Sequence, residues 1–191
     1  MHPTSALYFT DFHARTCLHF ACYPPRSETP YSSSPSLTVS TLINLGADVD
    51  ACDHNGQTPL HYAAVNLSPE AVGALIKSFA KTDAKDCKGR TPLHCTLYHA
   101  NRKDNQFQSL SRLLKTTDLL ILANPKVAHI CDSYSMTPIG YACISSSLLL
   151  IESLFNLSPP PPTPLSSTTP PPLIKQILLT SVHSGSIKVL R

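Results

Sequence analysis

Between Leu60 and Phe79 the apolar positions fall into two short runs, each with helical spacing. Leu60, Ala63 and Ala64 line one side of the first run, and Val72, Leu75, Ile76 and Phe79 repeat the i, i+3, i+4 pattern in the second. The pattern predicts two short helices, each with an apolar stripe that it cannot bury alone. The polar positions ahead of them carry turn and start chemistry. Thr58 stands where a helix start wants a side-chain oxygen, and Pro59 follows at the first helical position, where a missing N–H costs nothing.

The same block is written more than once. "GQTPLHYAA" at 56–64 is echoed by "GRTPLHC" at 89–95, with Thr58 and Thr91 33 residues apart. Weaker copies surround them. "ARTCLHFAC" at 14–22 keeps Thr16, Leu18, His19 and Ala21 without the proline, and "SMTPIGYAC" at 135–143 keeps Thr137, Pro138 and Ala142. Asp11, Asp53, Asp86 and Asp132 each stand five residues before the threonine. The intervals 16 to 58, 58 to 91 and 91 to 137 are 42, 33 and 46 residues, so the outer two hold insertions. A faint fifth copy, "QILLTSVHSGSIKVLR", breaks off at Arg191 inside what should be its second helix, so the expectation is either a longer protein or a truncated gene model. Self-similarity at such a period is the mark of a stacked array.

These motifs resemble the ankyrin repeat, in register with "GADVDA" at 46–51 and its degraded copy "FAKTDA" at 79–84. The resemblance implies an all-α solenoid of stacked helix-turn-helix units with short hairpin loops. Four units would fill residues 1–158, divided near 11–52, 53–85, 86–131 and 132–158, with insertions near 24–35 and 116–128. A linker at 159–172 and a truncated fifth unit at 173–191 would follow. The signature residues Thr16, His19, Thr58, Pro59, His61, Thr91, Pro92, His94, Thr137 and Pro138 become structural, each histidine bonding backbone in the adjoining hairpin. Gly140 takes the histidine's place in the fourth unit, so that ladder should end there.

Partner-facing positions carry over from the resemblance too, at the hairpin tips and late in each first helix. At the tips they are Phe12, His13 and Arg15, then His54, Asn55 and Gln57, then Lys88 and Arg90, then Tyr134 and Met136. In the helices they are Tyr23, Val65, Asn66, Tyr98 and His99. Aromatics, Arg and Met are the types enriched at protein interfaces. Tyr62 and Tyr141 read as packing between helices.

Composition removes other classes. With 14% charged residues and a net charge of +3, the chain lacks the concentrated basic face of a nucleic-acid binder. The start "MHPTSALYFT" is no signal peptide, and "SLLLIESLFNL" is too short and interrupted to insert in a membrane. Seven cysteines without a CxxC pair fit a reducing compartment, cytoplasmic or nuclear, and supply no metal site. Cys17 with His19, and Cys95 with His94, could suggest a thiol and its base, but sequence neighbours on a helix point apart. No phosphate loop or nucleophile elbow is present. The expectation is a non-enzyme with no cofactor.

Two Pro/Ser/Thr-rich stretches interrupt the units: "PPRSETPYSSSP" at 24–35 and "SPPPPTPLSSTTPPP" at 158–172. The second reads as an extended, polyproline-like linker; an SH3 or WW groove would also accept such a tract, though it has no flanking Arg or Lys and no PPxY. Thr29, Ser34, Ser158, Thr163 and Thr169 each precede proline and are candidate phosphorylation sites. The functional expectation is a monomeric scaffold or adaptor binding a protein along the concave face. The alternative is the targeting arm of a larger protein, such as a ubiquitin-ligase substrate receptor or an ankyrin-bearing enzyme.

Overall fold

Each repeated Thr-Pro block starts a helix in the computed structural model, which describes residues 7, 9–23, 35–100, 108–144, 150, 151 and 154. The linker, the fifth unit and the five candidate phosphorylation sites lie outside the described residues. The first helices of the units are α1 (Cys17–Cys22), α3 (Pro59–Val65), α5 (Pro92–Ala100) and α7 (Pro138–Ile144). The second helices are α2 (Pro35–Asn44), α4 (Pro69–Lys77) and α6 (Gln108–Ala123). Leu150, Ile151 and Leu154, beyond α7, are helical and buried.

The helices are too short to persist alone, since an isolated helix below about 12–15 residues is marginal in water. Stacking supplies what propensity does not. α1, α3, α5 and α7 pack in order as one row, and α2, α4 and α6 as a second. Leu18, Leu60, Leu93 and Ile139, one per unit at the same position, are fully buried between neighbours. Leu75, Leu97, Leu120 and Ile121, from α4, α5 and α6, are buried in the same core cluster.

Two expectations need correction. The insertion in the third unit does not lie at 116–128. Residues 116–123 are the last half of α6, which packs on α4 and α5 through buried apolar positions such as Leu113, Leu120 and Ile121. In both middle units the second helix ends nine residues before the next hairpin aspartate, Lys77 to Asp86 and Ala123 to Asp132. The excess therefore lies earlier, in α5 (nine residues against seven for α3), in the 101–107 stretch outside the described residues and in the length of α6, 16 residues against nine for α4. Secondly, Phe79 is not part of the α4 apolar face: it is 92% exposed. α4 ends in a Schellman turn, with Phe79 N–H bonding the Ile76 carbonyl and Ala80 N–H the Leu75 carbonyl. That places Phe79 in the left-handed region at φ 64°, the position Gly46 occupies after α2 at φ 99°.

Candidate functional site

The four hairpins are built alike around their aspartates. In each, the aspartate N–H bonds the carbonyl four residues on (Arg15, Gln57, Arg90, Met136) at 2.9–3.1 Å. The carboxylate Oδ1 then accepts two backbone N–H groups, from the residues two and four places later. The turn closes through a residue at positive φ: Ala14, Gly56, Gly89 and Ser135. Successive tips join by one backbone bond each, His54 to His13, Cys87 to Asn55 and Ser133 to Lys88.

The second carboxylate oxygen shows where the units differ. In the first and third units it accepts Nε and a terminal nitrogen of Arg15 or Arg90, at 2.6–2.9 Å. In the second and fourth, Gln57 and Met136 replace the arginine, and the oxygen accepts the hydroxyl of Tyr62 (2.9 Å) or Tyr141 (2.7 Å) from the first helix. The side-chain bond from Arg15 holds the Asp11 carboxyl far below the usual carboxylate range. Burial works against the ionised form of Asp86, and Arg90 with the backbone donors outweighs it, so that carboxyl is also lowered. Burial and then the bond to Asp53 push the Tyr62 hydroxyl up to about 12.

The alternation continues on the helices. Tyr23 and Tyr98, twelve residues after Asp11 and Asp86, belong to the arginine units, while Val65 and Ile144 hold the equivalent place in the tyrosine units. Tyr23 meets Tyr62 edge to face at 6.2 Å, and Tyr98 meets Tyr141 edge to face at 5.7 Å. The Arg90 guanidinium lies 5.5 Å over the Tyr98 ring, and that of Arg15 lies 4.8 Å over Phe20. Two related patches thus lie on the first-helix row, one across units one and two, the other across units three and four, alike in the tyrosine pair but differing in the ring beneath the arginine.

The proposed partner-facing residues divide by exposure. Phe12, His13, Tyr23, His54, Asn55, Lys88, Tyr98 and Tyr134 are exposed, with Phe12 at 99% and Tyr134 at 68%. Arg15, Gln57, Val65, Asn66, Arg90, His99 and Met136 are partly buried. Arg90 differs from the expectation of an exposed contact: its side chain is only 12% exposed because it holds the buried Asp86. Phe20, half-exposed beneath Arg15, was not among the expected positions, and Tyr62 and Tyr141 are acid partners rather than mere packing. The signal for them was present: the residue nine places after the aspartate is Tyr only where the residue four places after it is not Arg.

The histidines form the expected ladder, by chemistry that fixes their tautomer. The backbone N–H of Thr16, Thr58 and Thr91 donates to Nδ1 of His19, His61 and His94 at 3.0–3.1 Å. Nδ1 is therefore unprotonated, the threonine hydroxyl 2.9–3.0 Å away donates to it as well, and Nε2–H donates to the next unit's carbonyl (Gln57, Arg90, Met136). In the fourth unit, where Gly140 stands, the imidazole bonds have no counterpart, and the Thr137 hydroxyl accepts the N–H of residue 140, a bond that the threonines of the first and second units also accept. Both nitrogens of His94 are thus engaged, and burial pushes the neighbouring Cys95 thiol up to about 12. That pair offers neither a free base nor a thiolate.

Residues 31–118 match the family model for ankyrin repeats (3 copies). Among curated proteins, the chain is 48% identical over 50 residues to Protein fem-1 homolog A of Danio rerio, covering 26% of this chain and 8% of that one. It is 35% identical over 79 residues to Protein fem-1 homolog C of Homo sapiens, covering 41% of this chain and 12% of the relative. The chain therefore spans about a tenth of the length of the curated relatives it matches.

Proposed function

Because this chain carries ankyrin repeats, we propose that it is a non-enzymatic scaffold that binds a partner protein along its inner face, where the hairpins meet the first-helix row. The supporting observation is the two aromatic patches. Phe12, Tyr23, Tyr98 and Tyr134 stay exposed there although burying an aromatic ring is worth about 1.5–3 kcal/mol. Tyr and Arg are also the residues whose truncation most often weakens an interface. The buried Cys95 thiol and the fully bonded ladder histidines beside the face support a surface that recognises rather than reacts. The reading makes the protein a monomer in the cytoplasm or nucleus, where seven cysteines outside any disulfide persist.

The test is binding of a partner captured on the full chain. A Lys88→Ala, Tyr98→Ala, Tyr134→Ala variant should fold as the parent does, since all three side chains are exposed, and bind more than tenfold more weakly. Leu60→Ala should instead lower stability by about 2–5 kcal/mol. Unchanged binding by the folded triple variant, with loss on deleting 159–172, would transfer the site to the linker.

A second reading, that the array is the targeting arm of a larger protein, is favoured by the length of the fem-1 homologues that it matches.

A further inference from the structure

Resting on that reading, we infer that the inner face takes an extended acidic segment of the partner protein, held at two equivalent places two units apart. The first ground is the polar chemistry left over. Asp48, Asp50 and Asp83 lie earlier in the loops; among the described residues the hairpin tips and first helices themselves contain four acids, Asp11, Asp53, Asp86 and Asp132. Every one has both carboxylate oxygens filled by donors of the chain itself. What remains for a ligand is donors. Among the described residues no carboxylate lies beside the exposed Lys88 ammonium, Arg15 and Arg90 keep guanidinium N–H groups that their aspartates do not use, and the Tyr23 and Tyr98 side chains are exposed, Tyr98 under the Arg90 guanidinium. A face with cations and donors and no spare carboxylate is complementary to carboxylates.

The second ground is the period. The arginine and the late tyrosine recur together only in alternate units, as Arg15 with Tyr23 and Arg90 with Tyr98. Packed helices lie about 8–10 Å apart, so the two patches stand about 16–20 Å apart. An extended chain advances about 3.3 Å per residue, so one peptide spans that distance in about five or six residues. The rings between the patches would meet apolar side chains of the same segment.

The experiment measures fluorescence anisotropy of the full chain with labelled peptides in a Ser/Leu background. Each carries two glutamates two to ten residues apart, with Gln-for-Glu and Lys-for-Glu versions and a labelled oligodeoxythymidine as controls. Tightest binding is expected at a separation of five or six, at least tenfold weaker for the Gln version and weaker still for the Lys version. Lys88→Glu should weaken it about tenfold. Tyr23→Ala and Tyr98→Ala should each weaken the two-Glu peptide severalfold yet change a one-Glu peptide less than about twofold, because the other patch still serves it. Circular dichroism of each variant reports folding. Equal or tighter binding of the Gln or Lys peptides, no dependence on separation, or no binding to any peptide would overturn the inference, and tighter binding of the oligonucleotide would assign the face to a phosphate backbone. These outcomes are distinct from failure of the inner-face reading, which shows as unchanged partner binding by the triple variant.

Discussion

The Tyr62 hydroxyl donates to Asp53 at 2.9 Å, serving the carboxylate oxygen that Arg15 and Arg90 serve in the neighbouring units. One structural need, a second donor for the hairpin aspartate, is met in two ways along one chain. Tyr62→Phe or Tyr141→Phe should cost about 1–3 kcal/mol in denaturant unfolding, the penalty of a buried acceptor left without its donor. Gln57→Arg placed in the Tyr62→Phe protein should restore most of that loss, because Arg at that position reaches the aspartate in units one and three. Absence of rescue would show that the two arrangements are not interchangeable.

The ladder histidines make stability depend on pH. Burial lowers the affinity of His19, His61 and His94 for a proton relative to the unfolded chain. Below the unfolded value near 6.5 the unfolded state binds more protons, so stability is lost as the pH is lowered, by up to about 1.4 kcal/mol per pH unit for each histidine. Asp11 and Asp86, whose carboxyls are lowered in the fold, act in a separate window. Their stabilisation is complete above the unfolded carboxyl value and is lost only as the pH falls below about 4. Unfolding midpoints between pH 8 and 3 should therefore decline in two stages. A flat profile from 7 to 5 would contradict the neutral, doubly bonded imidazoles.

Backbone strain yields a third expectation. Ser135 and Phe79 adopt φ 58° and 64°, in the region that costs an L-residue about 1–2 kcal/mol. Both side chains are exposed, so Ser135→Gly and Phe79→Gly should each raise stability by about 1 kcal/mol or less. Gly89→Ala should lower it, since the added Cβ would sit 2.9 Å from the Ser133 Oγ and 3.0 Å from its backbone nitrogen. Thermal unfolding of the three variants decides the signs.

Much of the fold was legible because the Thr-Pro-Leu-His block sets a cap, a start and a buried apolar side within four residues, and repeats. The third-unit insertion was misplaced because "DLLILANPKV" is apolar whether it extends a helix or covers one. Phe79 was misread because spacing alone cannot tell a helix's last turn from its left-handed cap. The candidate face was legible as positions but not as a network. Exposure of Tyr98 follows from register, whereas burial of Arg90 depends on its aspartate lying behind it.

The inner face as the binding surface is tested most directly by hydrogen exchange of the full chain with and without a captured partner. Protection should concentrate at the tips 12–15, 54–57, 87–90 and 133–136 and late in α1, α3, α5 and α7, with α2, α4 and α6 little changed. Protection confined to the second-helix row, or to residues 159–172, would contradict it.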